Sequence, residues 1–565
     1  MKAIKIVCLS IFSCIGFLFA ENYLIEGGQE SKIQYRLIQS VHPPNSVRSL
    51  TLSYVIPESF TSPTYSQRIE NFQMIFSTPP DQKEEKRDIR GNPVLKAVWE
   101  SPPPSLKVTM AFYAFNKTSL EPLDSHALYP LGSLPSEILV YLKATSQVQS
   151  DHPEIQTQAK ALIQGVKTEF DAVQRILSWV VDHVRYVSPS SQYDALYTLH
   201  TGKGNCQNFS HLACAFLRAV GIPTRIVNGV TLNQPYSVKT REGEFSFRFG
   251  QGRHSWIEVY FPDLEWVPFD PQQTELFVSN RFIRIEVGMD NAETIQDGLI
   301  RWKESKNSRT QMAFEEHIEA DFESDRVQLA MEKQNYGPQN MLLCPPVRAS
   351  FQPILPVPPP SPPVSPIPVE RLMYTEPCLF GNLDFPRRVN FLMTRGPAQK
   401  AGEDQFQMQK NFLVETAEYV TTQLRQYAQV FIVEKPLKLC KVGLALHLFG
   451  GDGQLWIELF HDRNGKPGKL IATSDFFNTN QLFKTQGYDW IDFSFDSNPP
   501  ILAPGKYWIA LGFTGSPIVN WFYTYGKPVG PVDGTRYKGV YDADWSGALA
   551  YEFNYRIMGY IPKEE

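Results

Sequence analysis

Residues 201–225 read TGKGNCQNFSHLACAFLRAVGIPTR. Phe209, Leu212, Ala213, Phe216, Leu217 and Val220 recur at helical spacing and lay one apolar stripe along a helix that begins near Cys206. Gly221 and Pro223 stop it. The flexible glycines 202 and 204 lead into a cysteine at the first turn, where unpaired backbone N–H groups and the helix dipole stabilise a thiolate. Cys206 is therefore a candidate nucleophile, whereas Cys214, in mid-helix, reads as a packed core residue.

A thiolate nucleophile needs a base. His254, forty-eight residues downstream, starts a predicted strand over 254–260, and a second strand over 265–270 ends in Asp270, with Pro262 and Asp263 turning between them. If the two strands pair as a hairpin, Asp270 comes near His254 and fixes its tautomer while the other ring nitrogen faces the thiol. Cys, His and Asp in that order read as nucleophile, base and orienter. Upstream, Phe170, Val173, Ile176, Leu177, Val180, Val181 and Val184 predict a helix behind a Thr168 cap with Asp171 three residues on. A further strand is expected over 224–230. Helices followed by an antiparallel sheet make an α+β unit.

Four ordered motifs carry a resemblance: Gly204 to Cys206 opening a helix, Gly221-Ile222-Pro223-Thr224-Arg225 closing it, His254-Ser255-Trp256-Ile257-Glu258-Val259, and Trp266 to Asp270-Pro271. On these motifs, residues from about 155 to 290 resemble the transglutaminase-like superfamily of papain-fold cysteine enzymes, in its exported bacterial form. The resemblance implies Cys206 as nucleophile, His254 as general base and acid, and Asp270 as orienter. For the oxyanion it implies the Cys206 backbone N–H, with Gln192 and Tyr193 as candidates for an added side-chain donor. Members of the superfamily crosslink proteins, hydrolyse amides or cleave proteins, and some have lost activity, so the fold alone names no substrate. The implied reaction is acyl transfer on an amide through a thioester, on a protein or peptide. Hydrolysis stands ahead of crosslinking, because water needs no second binding site. The competing reading is an inactive papain-fold scaffold that binds through its β-sandwiches.

The rest of the chain bounds this reading. At 565 residues and 64.4 kDa it holds several domains. A 42% hydrophobic and 20% charged composition is globular, and a net charge of −5 gives no footprint for nucleic acid or an anionic membrane. Lys2 and Lys5 precede an apolar run from Ile6 to Phe19 that ends at Ala20, the pattern of a signal peptide covering residues 1–20, so a secreted or periplasmic protein is expected. Bulky Phe12 disfavours lipid attachment at Cys14, and no later stretch is long enough for a transmembrane anchor. Cleavage leaves five cysteines, an odd number and no disulfide framework, with a bridge among Cys344, Cys378 and Cys440 left open.

Residues 21–150 read as an N-terminal β-sandwich, with Leu50, Leu52, Tyr54 and Ile56, and again Val108, Met110 and Phe112, in alternation. The α+β core spans 151–290. Residues 291–344, charged and weakly patterned, are expected as an extension of that core. A Pro-rich linker covers 345–370, with eleven prolines in residues 345–369. Residues 371–565 read as a jelly-roll-like β-sandwich, marked by Val442, Leu444, Leu446 and Leu448 and by Leu549, Tyr551, Phe553, Tyr555 and Ile557. A glycan or other surface ligand is an open partner for it: Trp521, Tyr523 and Tyr525 can stack on sugars, although such aromatics more often fill the core. Asp542 to Gly547 starts like a calcium loop, but its twelfth position is Phe553, so it reads as a turn. No metal or cofactor motif is present.

Overall fold

The computed structural model describes residues 22–563 apart from 187–189, 240–243, 248, 273–276, 306–311, 335–341, 344–371, 384–398, 403–404, 409–417, 420, 422–424, 482–488, 525–533 and 550–551. The expected signal peptide (1–20), the Pro-rich linker (345–370), Cys344 and Tyr525 lie outside the described residues.

Two six-stranded sheets face each other at the N-terminal end. In one, Asn22–His42 lies between Ala313–Gln334 and Leu106–Leu120; in the other, Val47–Val55 lies between Leu299–Glu304 and Pro93–Trp99. Alternate residues point inward, so Ile33, Tyr35, Leu37 and Phe112 of the first sheet meet Leu50, Leu52, Tyr54 and Trp302 of the second in one buried cluster. Residues 291–344 therefore correct the expectation. They supply Ala313–Gln334 and the short Leu342–Leu343 to the first sheet, each paired with Asn22–His42, and Leu299–Glu304 to the second, beside Val47–Val55. The long strand was hidden because one of its inward positions is Glu316, a charge that reads as surface but is buried against Arg253. A second correction concerns the boundary at 371. Gln405–Met408, beyond the linker, pairs with Leu299–Glu304 and extends the second N-terminal sheet.

Between these strands sits the helical unit. Helices α1 (Pro153–Leu162), α2 (Glu169–His183), α3 (Ala195–Thr201) and α4 (Cys206–Ala219) accompany a four-stranded antiparallel sheet, ordered Glu265–Phe269, Gly252–Phe261, Thr224–Thr231 and Phe282–Gly288. The Thr168 cap is present, with the Asp171 N–H donating to its hydroxyl at 3.2 Å. Phe209, Leu212 and Phe216 of α4 bury against Ile176 and Leu177 of α2 and against Ile226, Ile257 and Phe269 of the sheet. Seven-residue α3 was not expected. It depends on its ends, where Asp194 accepts from the Tyr197 N–H at 3.0 Å and Gly202, at φ 61°, stops the turn.

At the C-terminal end two seven-stranded sheets pack across a cluster that includes Leu444, Leu446, Leu455, Ile457, Phe493 and Ile509. The run 549–557, expected as one alternating strand, is divided: Ser546–Leu549, Glu552–Phe553 and Tyr555–Pro562 pair in three different sheets. Between the last two strands stands buried Asn554, its N–H donating to the Phe522 carbonyl at 2.9 Å and its amide to the Asn382 carbonyl at 3.2 Å. Trp521 and Tyr523 are buried in this core, so neither offers a face to a sugar. Cys378 and Cys440 are free thiols. Among the described residues no helix is long and apolar enough to cross a membrane.

Candidate active site

Cys206 is the first residue of α4, and its position follows from the residues before it. Asn205 caps the helix, accepting from the Gln207 N–H at 3.0 Å, while Asn208 reaches back to accept from the Asn205 N–H at 3.1 Å. Gly204 has to be glycine, since a Cβ there would sit 2.2 Å from the Asn208 side chain. The thiol is thus set at a helix N-terminus, buried at 3% exposure. By helix geometry the Cys206 N–H has no acceptor within its own helix.

His254 lies on Gly252–Phe261, opposite Gly229 of the neighbouring strand. A side chain at 229 would meet the Ile283 carbonyl at 2.2 Å and the Trp256 ring at 2.4 Å, so glycine leaves room for Trp256 where it packs near the histidine. The imidazole packs edge-on to Phe282, with centroids 5.2 Å apart, and against Trp256 at 5.9 Å. The hairpin expected from the sequence forms, with Ile257 opposite Phe269. Asp270, the next residue, holds Oδ2 2.8 Å from His254 Nε2 and accepts from the Gln272 N–H on Oδ1 at 3.0 Å. Burial opposes charge on His254, but the Asp270 carboxylate, its hydrogen bond, and a hydrogen bond with Cys206 outweigh it and raise the imidazole to about 10. The ring thus lies between the Asp270 carboxylate and the Cys206 sulfur, which favour its protonated form. With Nε2 engaged by Asp270, Nδ1 is the nitrogen left for sulfur.

Cys206, His254 and Asp270 are brought together. Gln192 and Tyr193 are not among the residues lining the cleft over Cys206. Their carbonyls anchor the segment to α4, that of Gln192 accepting from Asn208 at 3.0 Å and that of Tyr193 bonding His211 Nδ1 at 2.6 Å. The cleft, a shallow one, is lined by Cys206, Gln207, Asn228 and His254, with the remainder of its wall drawn from Arg253, Ser255, Thr294, Ile295 and Asp297. The part at 294, 295 and 297 was missed because nothing in its local pattern signals a cleft. The Asn205 and Asn208 cap was legible in principle, as a polar pair at capping-box spacing. Among the described residues no cluster of three or more metal-ligating side chains occurs.

Residues 156–271 match the family model of the transglutaminase-like superfamily. The uncharacterized protein YebA of Bacillus subtilis is 29% identical over 145 residues, covering 24% of this chain and 20% of its own. The uncharacterized protein ML0607 of Mycobacterium leprae is 29% identical over 123 residues, covering 21% of this chain and 40% of its own. The chain thus spans between a fifth and two fifths of the length of these curated relatives. Among solved structures, a candidate cysteine protease from Cytophaga hutchinsonii aligns with 20% identity over 55% of this chain and 100% of its own, at a TM-score of 0.38. The periplasmic domain of TgpA from Pseudomonas aeruginosa aligns with 15% identity over 43% of this chain and 90% of its own, at a TM-score of 0.23.

Proposed function

We propose, from the match of residues 156–271 to the family model of the transglutaminase-like superfamily, that the protein is an exported thiol enzyme that cleaves amide bonds in a protein or peptide through a Cys206 thioester. The observation that carries the reading is the 2.8 Å contact between His254 and Asp270, buried beside a cysteine at a helix N-terminus. Export is proposed from the charged and then apolar residues 2–20.

The reaction divides into two steps. The Cys206 thiolate attacks the amide carbon, and the oxyanion that forms accepts from the Cys206 backbone N–H. His254 gives its Nδ1 proton to the amide nitrogen, the C–N bond breaks and the amine leaves. A water molecule then loses a proton to Nδ1 as its oxygen attacks the thioester, the C–S bond breaks, and the thiolate and imidazolium are restored. Asp270 holds the ring and stabilises its positive form throughout. Hydrolysis is favoured over crosslinking because the cleft is lined largely by polar groups, including Gln207, Asn228, Ser255 and Thr294, which admit water.

The test is product analysis. The full chain and its Cys206→Ala variant are incubated with a glutamine-containing peptide library in ¹⁸O-water, with and without a primary amine. Hydrolysis gives new carboxylates carrying one ¹⁸O, dependent on Cys206. Amine adducts in their place would turn the assignment to crosslinking, and no Cys206-dependent product would return the scaffold reading.

A further inference from the structure

Arg253 immediately precedes His254 and lines the same cleft, yet it is only 9% exposed. A buried guanidinium is tolerable only when it is paired. Its partners lie outside the superfamily segment. Nη1 donates to Asp297 Oδ2, while Nε and Nη2 reach the two oxygens of Glu316 at 3.3 and 3.5 Å. Asp297 belongs to the cleft wall, and its other oxygen accepts from the Val55 N–H, in the second sheet of the N-terminal sandwich, at 3.1 Å. Glu316 is on the strand Ala313–Gln334 of the first sheet. One side chain, covalently next to the base, therefore joins the cleft wall to both sheets of the sandwich.

The wall it secures is tied elsewhere by main-chain bonds. Asn228 donates to the Thr294 carbonyl at 3.0 Å, the Gln296 N–H donates to Glu286 at 3.1 Å, and the Asn291 N–H donates to His211 Nε2 of α4 at 3.1 Å. From the strand that carries His254, the neutral Ser255 hydroxyl also reaches this segment, donating to Asn291 Oδ1 at 3.3 Å. Arg253 alone does so with charge on both sides, and a planar fork can hold two carboxylates at once where an ammonium group holds one. The groups facing Arg253 are Asp297, Glu316 and Glu286, with the Tyr35 and Tyr54 hydroxyls; those facing His254 are Asp270 and Cys206.

We infer that Arg253 is a positioning residue for the base, and that through Glu316 the N-terminal sandwich is a working part of the active site. The inference rests on the reading of Cys206 and His254 as nucleophile and base. A small misplacement of a base costs rate steeply, so loosening the Arg253 bracket should lower thiol reactivity without touching the thiol.

The experiment uses the full chain and needs no substrate. Second-order alkylation of Cys206 by iodoacetamide is followed from pH 5 to 10 in wild type, Glu316→Gln, Arg253→Lys, Arg253→Gln and His254→Ala, with a thermal melt of each. Glu316→Gln keeps the volume and one hydrogen bond, so it preserves the test if Arg253→Gln does not fold. Glu316→Gln should react about 3 to 10 times more slowly than wild type at neutral pH, and Arg253→Gln about 10 to 100 times, with Arg253→Lys between them and each profile displaced. Folded Glu316→Gln and Arg253→Lys proteins whose rates and profiles match wild type would overturn the inference. If wild type itself reacts like His254→Ala, the failure belongs to the proposed nucleophile and base instead.

Discussion

Replacing Asp270 by Asn removes one charge and leaves the volume, which makes it the sharpest perturbation of the proposed site. Oδ2 stands 2.8 Å from His254 Nε2 in a fully buried pocket, so the variant exchanges a charge-assisted bond for a neutral one or for two facing donors. A hydrogen bond to a charged group contributes about 1.5 to 3 kcal/mol, roughly one to two decades in the imidazolium population. A wrong tautomer can extend the loss to about four decades. The maximal rate should fall by about 10² to 10⁴, with substrate binding close to wild type. Stability gives a second readout, and its sign is set by a His254 pKa raised from 6.5 to about 10. That stabilisation is complete below about 6.5, declines as pH rises and is gone above about 10. The melt difference between wild type and Asp270→Asn should therefore be largest at acid to neutral pH and close toward pH 10. The assays are turnover, Cys206 alkylation against pH, and thermal melts over the same range. A folded Asp270→Asn protein with near-wild-type turnover and an unchanged alkylation profile would refute the orienting role and leave a Cys206 and His254 dyad.

Gly229→Ala puts a methyl group 2.2 Å from the Ile283 carbonyl and 2.4 Å from Trp256, so it should cost about 1 to 3 kcal/mol in a denaturant melt and slow Cys206 alkylation by shifting the strand opposite His254 and the Trp256 ring near it. Proteolysis within 345–369 should leave the two fragments together in gel filtration, because Gln405–Met408 is a strand of the N-terminal sheet; separation without denaturant would contradict that pairing. His211 is held neutral, its pKa lowered from 6.5 to about 4 mainly by burial, so the unfolded chain takes up a proton that the folded one refuses, and stability should fall as pH drops from about 6.5 toward 4. His211→Asn should flatten that part of the melting profile; an unchanged slope would show that other groups set it.

What the sequence revealed was local. The stripe from Phe209 to Val220 defines α4 within one helix length, and the short turn at Pro262 and Asp263 carries Asp270 back beside His254, so the side chains proposed as base and orienter could be placed together from spacing. What it concealed was remote or inverted. The strand at 313–334 pairs with 22–42 across the whole helical unit, and its Glu316 points inward because Arg253 waits there. The backbone links from Gln192 and Tyr193 to Asn208 and His211 of α4 likewise have no local signal in the sequence. The alternation from 549 to 557 resembled one strand, since nothing in the pattern marks Asn554 as a buried hinge between sheets.

The most direct test of the central claim is to trap the acyl-enzyme. The full chain is mixed with an activated aryl ester, quenched in acid within seconds, and its peptides are mapped by mass. The account predicts one acyl group on Cys206, removed by hydroxylamine, at a rate that collapses in His254→Ala. An acyl group shared equally with Cys214, or a rate on Cys206 indifferent to His254, would contradict it.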